Sequence, residues 1–238
     1  PQPRHHFHRA QRRWCRGTIF TERSVADEIG DDPIDFNIQR LGLWLRYNLK
    51  SAISRAEWDE LKTDTLPKLT GKLYAGIKFS TDGTSCALAV ACRTKDNAIF
   101  VEAIGCHPTR DGSGWLLDFL SKADLAAVAV DGASGQQLLA DAMKAAHLRA
   151  PVLPTVKQVI TANAAFEQAL FAQALCHAGQ PGLAQAASNC EKRAIGSNGG
   201  FGYRSLTEGG HIELLDSVIL AHWQCAEGKG KRRQRIRY

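Results

Sequence analysis

The fold is decided by residues 73–92, which read LYAGIKFSTDGTSCALAVAC. Two runs of apolar and β-branched residues, 73–79 and 86–92, lie on either side of the turn-forming triplet TDG at 81–83. This pattern is typical of two antiparallel strands joined by a tight turn. A third run, IFVEAIG at 99–105, follows a second polar, turn-forming triplet. The spacing therefore predicts a three-stranded antiparallel meander.

After the meander, short helical and strand patterns alternate. The predicted elements are a helix at 115–120, a buried strand at 126–130 ending at Asp131, a helix capped by Ser134 and running to about residue 147, a strand at 152–155, and helices at 158–176 and 212–226. A meander followed by this alternation predicts an α/β fold with a mixed sheet. Upstream, residues 17–70 read as a mostly helical segment with interruptions, in which Ser54 opens the capping box SRAE ahead of Trp58.

Composition excludes several classes of protein. The chain has 238 residues, of which 44% are hydrophobic and 23% charged, so it can bury one sizeable core and is neither disordered nor fibrous. No apolar run approaches the roughly 18 to 20 residues of a membrane-spanning helix, and no secretory signal is apparent, which predicts a soluble protein. The seven cysteines include no CxxC pair. They predict reduced thiols in a cytosolic setting and argue against a disulfide framework or a structural zinc site.

The net charge of +6 is concentrated at the two ends of the chain. Residues 1–16 carry five arginines and no acid, and residues 228–238 carry six lysines or arginines and no acid. The residues between them are acidic, with 19 basic against 24 acidic side chains. Such basic ends are either solvated tails or contacts for a polyphosphate. A start at Pro1, without an initiator methionine, is expected of a piece of a longer chain.

Two carboxylates occupy unusual positions. Asp131 follows the apolar strand directly and precedes a glycine, and Asp216 lies on a helix whose neighbours are nearly all apolar. An unpaired carboxylate in such a place is costly unless a partner compensates it. The alternatives are that Asp131 is an N-cap or Asx-turn aspartate and that Asp216, with Glu213, lies on the polar stripe of the last helix. The sequence has no GxxxxGK, which excludes a P-loop ATPase, and no GxGxxG after a strand, which disfavours a dinucleotide site.

Five stretches together resemble the nuclease domain of phage terminase large subunits, the DNA-packaging motors. They are DFNIQRLGLWLRYNLKSAISRAEWDEL at 35–61, LYAGIKFSTDGTSCALAVA at 73–91, AVAVDG at 127–132, FEQALFAQALCHAGQPGLAQAASNCEKRAIGSNGGFGY at 166–203 and IELLDSVILAHW at 212–223. The resemblance implies an RNase H-like mixed β-sheet flanked by helices, with an N-terminal, mostly helical linker segment. It divides the chain into a linker at 1–70 that would follow an ATPase domain, a nuclease domain at 71–227 and a basic tail at 228–238.

The implied activity is metal-dependent cutting of concatemeric double-stranded DNA in the cytoplasm of the infected bacterial host. The implied partners are the DNA, the ATPase domain of the same polypeptide, the small terminase subunit and the portal protein. Phosphodiester hydrolysis by two Mg²⁺ or Mn²⁺ ions needs hard oxygen ligands. Carried over by position, Asp131 and Asp216 match two ligands of the family, and Glu213 is a candidate for a further one.

The first strand departs from the family. There the pattern resembles Gly-hydrophobic-Asp-hydrophobic-Ser, with the aspartate bridging both metals, whereas residues 76–80 read GIKFS. An ammonium cannot ligate a metal ion and competes with one electrostatically. Lys78 is therefore expected to prevent metal binding and cutting, whether it was introduced deliberately or marks a naturally defective copy. Asp82 is either a replacement ligand or an ordinary turn aspartate.

The remaining candidates concern the DNA path. The glycine-rich segment at 196–202, with Lys192, Arg193 and Arg204 beside it, resembles a family hairpin near the DNA, or is a loop. His177 matches a family histidine near the active site, or is a packing or capping group. The basic tail would add DNA contacts through four further cations, Lys229, Lys231, Arg232 and Arg233.

Two functions of different classes follow from this sequence. The first is a metal-dependent endonuclease domain that carries Lys78 at a ligand position. The second is a catalytically dead DNA-binding or docking module that kept the RNase H-like fold. A transposase or junction resolvase is disfavoured because the linker resembles that of a packaging motor.

Overall fold

The computed structural model describes residues 51–196, 199–207 and 210–228. At its centre is a five-stranded mixed sheet with the spatial order β4-β1-β2-β3-β5. Strands β1, β2 and β3 form the predicted antiparallel meander, while β4 runs parallel to β1 and β5 runs parallel to β3. The strands are β1 Leu73–Phe79, β2 Ser85–Arg93, β3 Ile99–Pro108, β4 Leu125–Asp131 and β5 Leu175–His177.

Helices cover both faces of this sheet, and a separate two-stranded hairpin lies beside it. The predicted α/β class, a mixed sheet flanked by helices as in RNase H-like folds, is confirmed. The helices are α1 Arg55–Asp59, α2 Gly114–Lys122, α3 Gln136–Ala145, α4 Val156–Phe171, α5 Pro181–Ala187 and α6 Glu213–Glu227. The hairpin strands are β6 Cys190–Ile195 and β7 Gly200–Ser205, and a 3₁₀ turn spans Thr109–Asp111.

The alternation of side chains along β1 assigns the two faces of the sheet. Ala75, Ile77 and Phe79 join a core cluster with residues of α2 and α3. Gly76 and Lys78 point to the opposite face, which is covered by α6. The lysine therefore lies beneath a helix rather than in solvent.

Gly76 lets α6 approach the sheet closely. A Cβ atom on this residue would lie 2.1 Å from the carbonyl oxygen of Ser217 and 2.5 Å from the backbone nitrogen of Ala221. No side chain fits such distances, so glycine is required where the helix crosses β1. This crossing brings the first turn of α6 over the carboxyl end of β1.

Three sequence predictions of local structure were wrong. Ser134 does not cap a helix: α3 begins at Gln136 after Gly135, and the Ser134 hydroxyl donates to the carbonyl of Ser80 at 2.9 Å. The strand expected at 152–155 is reduced to one bridge between Val152 and Ala129, because prolines on both sides lack the backbone donors that a ladder needs.

The predicted helix at 158–176 is displaced and shortened. It begins at Val156 after a capping box between Thr155 and Gln158, and it ends at Phe171. Residues 175–177 leave the helical pattern and form β5, which pairs with the start of β3. A tertiary partner strand has overridden local helix propensity here.

The linker capping box is confirmed. The Ser54 hydroxyl accepts from the backbone of Glu57 at 3.2 Å, and the Glu57 carboxylate accepts from the backbone of Ser54 at 2.7 Å. This cap begins α1, whose Trp58 is fully buried. Residues 1–50 of the predicted linker and residues 229–238 of the basic tail lie outside the described residues. Within the described part, none of the helices combines the length and apolarity needed to cross a bilayer.

His222 is a buried histidine within α6. Its ring packs edge-on against Phe166 with a centroid distance of 5.6 Å, and within the described residues neither ring nitrogen has a hydrogen-bond partner. Burial, with a smaller contribution from Arg93, lowers the pKa of His222 to about 4. The folded protein therefore resists protonation of this ring.

We expect His222→Leu to remove an acid-dependent loss of stability. A histidine whose pKa is lowered on folding contributes stability above its unfolded pKa of about 6.5, and this contribution is lost as the pH falls toward 4. Between pH 7.5 and 4 the loss is about 3 kcal/mol of unfolding free energy. Urea denaturation at both pH values measures it, with the exposed His147, replaced by Asn, as the matched control. Equal acid sensitivity of the parent and the Leu variant would contradict the assignment.

Candidate active site

Lys78 and Asp131 are direct neighbours at the carboxyl ends of the parallel strands β1 and β4, where the register pairs them. Asp216 enters from the first turn of α6. The Lys78 ammonium donates to Asp131 Oδ2 and lies 3.9 Å from Asp216 Oδ2. The structure thus brings together the three residues that the sequence singled out, and we refer to them as the charge cluster.

The charge cluster is largely shielded from water. The side chains of Lys78, Asp131 and Asp216 are 14%, 19% and 16% exposed. Burial raises the pKa of Asp216 to about 6; Lys78 and Arg193 oppose this shift, and the carboxylates of Asp131 and Glu213 add to it. The ammonium therefore favours the charged form of this carboxylate, which burial disfavours.

The backbone after Asp131 positions this carboxylate. Gly132 has φ +113°, and a Cβ atom there would lie 2.6 Å from the carbonyl oxygen of Phe79. The chain can turn this sharply only because the residue is glycine. Since the N-cap of α3 is Gly135, Asp131 is not a helix cap, and its carboxylate is directed at Lys78 instead.

A cleft opens at the charge cluster. The space directly beside it measures about 20 Å³, which holds about one water molecule. An adjoining cleft of about 250 Å³ is lined by Lys78, Asp131, Arg193 and the loop at 132–134. Two cations therefore face this cleft beside one carboxylate.

The hairpin residues proposed for DNA contact occupy different environments. Arg193, on β6, lines the cleft, and its Nε donates to the carbonyl of Tyr203 at 3.2 Å. Lys192 and Arg204 do not line the cleft and are held in ion pairs, Lys192 with Glu167 at 2.6 Å and Arg204 with Glu191 at 2.7 Å. The four tail cations Lys229, Lys231, Arg232 and Arg233 lie outside the described residues.

Glu213 lies on α6 one turn before Asp216 but does not line the cleft. Its Oε2 atom is 3.8 Å from His211 Nδ1, and His211 in turn lies 3.9 Å from the Cys106 sulfur. Sequence analysis did not single out Cys106 or His211, because positions 105 residues apart carry no local signal of their proximity.

Asp82 is an ordinary turn carboxylate. It accepts hydrogen bonds from the Ser80 hydroxyl at 2.6 Å and from the backbone and hydroxyl of Thr84 at 3.0 and 2.8 Å. These bonds, led by that from Ser80, lower the pKa of Asp82 to about 2. The residue closes the β1–β2 turn and does not line the cleft.

His177 is a packing residue. It belongs to β5, on the opposite edge of the sheet from β4, and its ring stacks on Trp58 at a centroid distance of 4.3 Å. Its Nε2 atom lies 2.8 Å from the Trp58 carbonyl, and burial lowers its pKa. The histidine joins α1 to the sheet and is not part of the charge cluster.

Comparison with known proteins places the fold. No protein-family model and no curated protein matches the sequence. The large terminase of bacteriophage HK97 superposes with a TM-score of 0.57 at 17% identity, over 87% of this chain and 51% of that chain. The large terminase nuclease of thermophilic phage G20c gives a TM-score of 0.49 at 17% identity, over 72% and 98% of the two chains. Its magnesium-bound form gives 0.48 at 16% identity, over 73% and 98%.

The mixed five-stranded sheet flanked by helices has the arrangement of an RNase H-like α/β fold. More particularly, the chain has the fold of part of a phage large terminase, since its likeness to the HK97 protein covers most of its own length. The resemblance seen in the sequence is thereby confirmed at the level of the fold. The chain spans about half of the length of the HK97 protein.

Removing the ammonium should expose the electrostatic role of Lys78. We expect Lys78→Met to lower the free energy of unfolding by about 2 to 4 kcal/mol, because it leaves two largely shielded carboxylates without their partner; a fully buried pair would cost about 3 to 5 kcal/mol. Adding Asp131→Asn and Asp216→Asn should restore most of the loss, since no buried charge then remains. Urea denaturation at pH 7.5 in EDTA measures both changes.

Lys122→Met is the matched control, because Lys122 forms an exposed pair with Asp118 at 2.7 Å. Exposed pairs of this kind contribute only about 0.3 to 0.5 kcal/mol. If Lys78→Met were as mild as this control, the charge cluster would not be the electrostatic constraint described here.

Proposed function

We propose that this chain is the nuclease domain of a phage DNA-packaging terminase and belongs by descent to the metal-dependent endodeoxyribonucleases. In this chain Lys78 would prevent metal binding, so that the domain binds DNA without cutting it. One observation carries the proposal: the Lys78 ammonium contacts Asp131 and lies 3.9 Å from Asp216 at the carboxyl ends of two parallel strands. A cation thus lies between carboxylates that, in a working nuclease of this kind, would hold metal.

The residues present do not fit two divalent ions. Two carboxylates and an ammonium supply too few oxygen ligands, and the space beside them takes about one water molecule. At an effective dielectric constant of about 20, the ammonium would repel a divalent ion 4 Å away by on the order of 8 kcal/mol before screening. With lysine at position 78, the chain would therefore not hydrolyse DNA by a two-metal mechanism.

The cleft suits a DNA phosphate. Arg193 and Lys78 both line it, and a guanidinium can bind a phosphate through two parallel hydrogen bonds. Contacts of this kind carry no base information, so binding is sequence-independent and depends on salt. The basic tail would add positive charge along the DNA, whereas Lys192 and Arg204, paired with Glu167 and Glu191, would contribute less.

The organisation of the whole protein follows the same resemblance. We assign residues 1–70 to a linker after an ATPase domain, residues 71–227 to the nuclease domain and residues 228–238 to a basic tail. The partners would be double-stranded DNA, the ATPase domain, the small terminase subunit and the portal protein, in the cytoplasm of an infected bacterium.

The second candidate is a catalytically dead docking module. It is favoured by the Lys78 ion pairs, which bring a positive charge to both carboxylates without any metal. The two candidates differ in what restoring a carboxylate at position 78 should do: a nuclease site would be revived, whereas a docking module would gain no activity.

The deciding experiment is Lys78→Asp, assayed on plasmid DNA with Mn²⁺ and with Mg²⁺. We expect cutting to rise at least about 100-fold over the parent chain, equal to about 2.7 kcal/mol of barrier. Lys78→Asp combined with Asp131→Asn should return to the parent level, and Lys122→Asp should have no effect. If the Lys78→Asp chain is folded, binds DNA and cuts no better than the parent, position 78 is not a metal-ligand position.

Arg193→Ala should weaken DNA binding to the same extent on all sequences. Removing one phosphate contact should reduce the slope of log affinity against log salt by about 0.9. Arg204→Ala, at an ion-paired position outside the cleft, is the control and should change the slope less.

Deleting residues 228–238 should flatten the slope further. Fluorescence anisotropy from 50 to 300 mM salt measures all three, and an unchanged slope after the deletion would mean that the tail is merely solvated.

A further inference from the structure

Three side chains that can ligate a metal ion meet near the end of β3: those of Cys106, His211 and Glu213. The Cys106 sulfur lies 3.9 Å from His211 Nδ1, and His211 Nδ1 lies 3.8 Å from Glu213 Oε2. One donor atom from each residue lies within 4.8 Å of the other two. A thiol, an imidazole and a carboxylate thus surround one point, and we refer to them as the thiol cluster.

The Glu213 carboxylate supplies an independent sign of a missing partner. Its side chain is only 10% exposed, and within the described residues its Oε2 atom is buried without a hydrogen-bond partner. The His211 ring nitrogen at 3.8 Å is too distant for a hydrogen bond. Burying a carboxylate oxygen without a partner is costly. A cation between Glu213 and its two neighbours would supply the partner that Oε2 lacks.

The donor set selects the kind of cation. Magnesium requires oxygen ligands, whereas sulfur, nitrogen and oxygen together suit zinc and similar transition metals. In a tetrahedral zinc site, with bonds of about 2.3 Å to sulfur and about 2.0 to 2.1 Å to nitrogen or oxygen, neighbouring ligand atoms are about 3.3 to 3.6 Å apart. The two observed separations are within about 0.5 Å of this range. Since the His211 side chain is 64% exposed, its ring can move by that amount.

We propose that the thiol cluster binds one transition-metal ion of the zinc type, with three protein ligands and a fourth position open to water. This site is separate from the charge cluster, which contains neither sulfur nor nitrogen ligands for a metal. Glu213 would serve this site rather than act as a further nuclease ligand. The ion would join the end of β3 to the start of α6, three residues before Asp216.

Binding would replace the thiol proton of Cys106 by a metal–sulfur bond and release that proton to solvent, so affinity should rise with pH. The absence of a CxxC pair argued against a structural zinc site in the sequence. The structure assembles a different donor set from β3 and from the segment leading into α6, and this proposal does not depend on the nuclease proposal.

The test uses Co²⁺ as a spectroscopic probe on the full chain, reduced and free of metal. We expect one tightly bound Co²⁺ with visible bands of a tetrahedral ion and a thiolate-to-cobalt charge-transfer band in the near ultraviolet. Zn²⁺ should displace it and Mg²⁺ should not. Cys106→Ser should abolish the charge-transfer band. His211→Ala and Glu213→Gln should each weaken binding at least about 100-fold, because loss of even an outer-shell partner costs about 10- to 100-fold.

Two controls make the result specific. Cys176→Ser removes another partly exposed thiol and should leave the band unchanged. Asp131→Asn alters the charge cluster and should also leave it unchanged, so failure here is distinguishable from failure of the nuclease proposal. His5, His6, His8 and Cys15 lie outside the described residues, and dependence of the band on Cys106 separates the proposed site from any binding there.

The proposal is overturned if the folded chain shows no thiolate band, or if the band survives Cys106→Ser. Circular dichroism checks the fold of each variant. If Cys106→Ser does not fold, the His211→Ala variant provides the test, because His211 is exposed. Unchanged Co²⁺ affinity in the folded His211→Ala chain would reject the site.

Discussion

The pairing of one ammonium with two largely shielded carboxylates organises the centre of this protein. Lys78 and Asp131 are held in register by parallel pairing of their strands, and Asp216 reaches them only because Gly76 lets α6 lie directly on β1. Each carboxylate would be costly to bury alone, and the lysine would be costly to bury without them. The position of the helix, the pairing of the strands and the charge balance are therefore parts of one constraint.

The same helix presents two carboxylates to two different environments. Asp216 faces the ammonium of Lys78 and the carboxylate of Asp131. Glu213, one turn earlier, faces an imidazole and a thiol. The helix is otherwise buried so thoroughly that His222 lies within it without a hydrogen-bond partner in the described residues. A single element thus anchors the core and carries polar groups that its neighbours must satisfy.

Fold and chemistry are separable in this molecule. The likeness to the HK97 large terminase concerns the path of the chain, and a fold alone does not determine an activity. The Lys78 ammonium places a positive charge within this fold, paired with Asp131 and 3.9 Å from Asp216. An ammonium offers no lone pair to a metal, so Lys78 itself cannot act as a metal ligand.

The sequence by itself determined the meander, the mixed α/β class and the capping box at Ser54, because local periodicity and turn or capping residues encode each of them. It also singled out Asp131 and Asp216, because a carboxylate in an apolar run needs a partner, and both lie beside Lys78. Only the tertiary structure decided that residues 175–177 are a strand, since a partner strand outweighed their helical pattern. It also decided that Glu213 turns toward Cys106 and away from the cleft. Distances between residues far apart in sequence depend on how elements pack, and no local pattern encodes that packing.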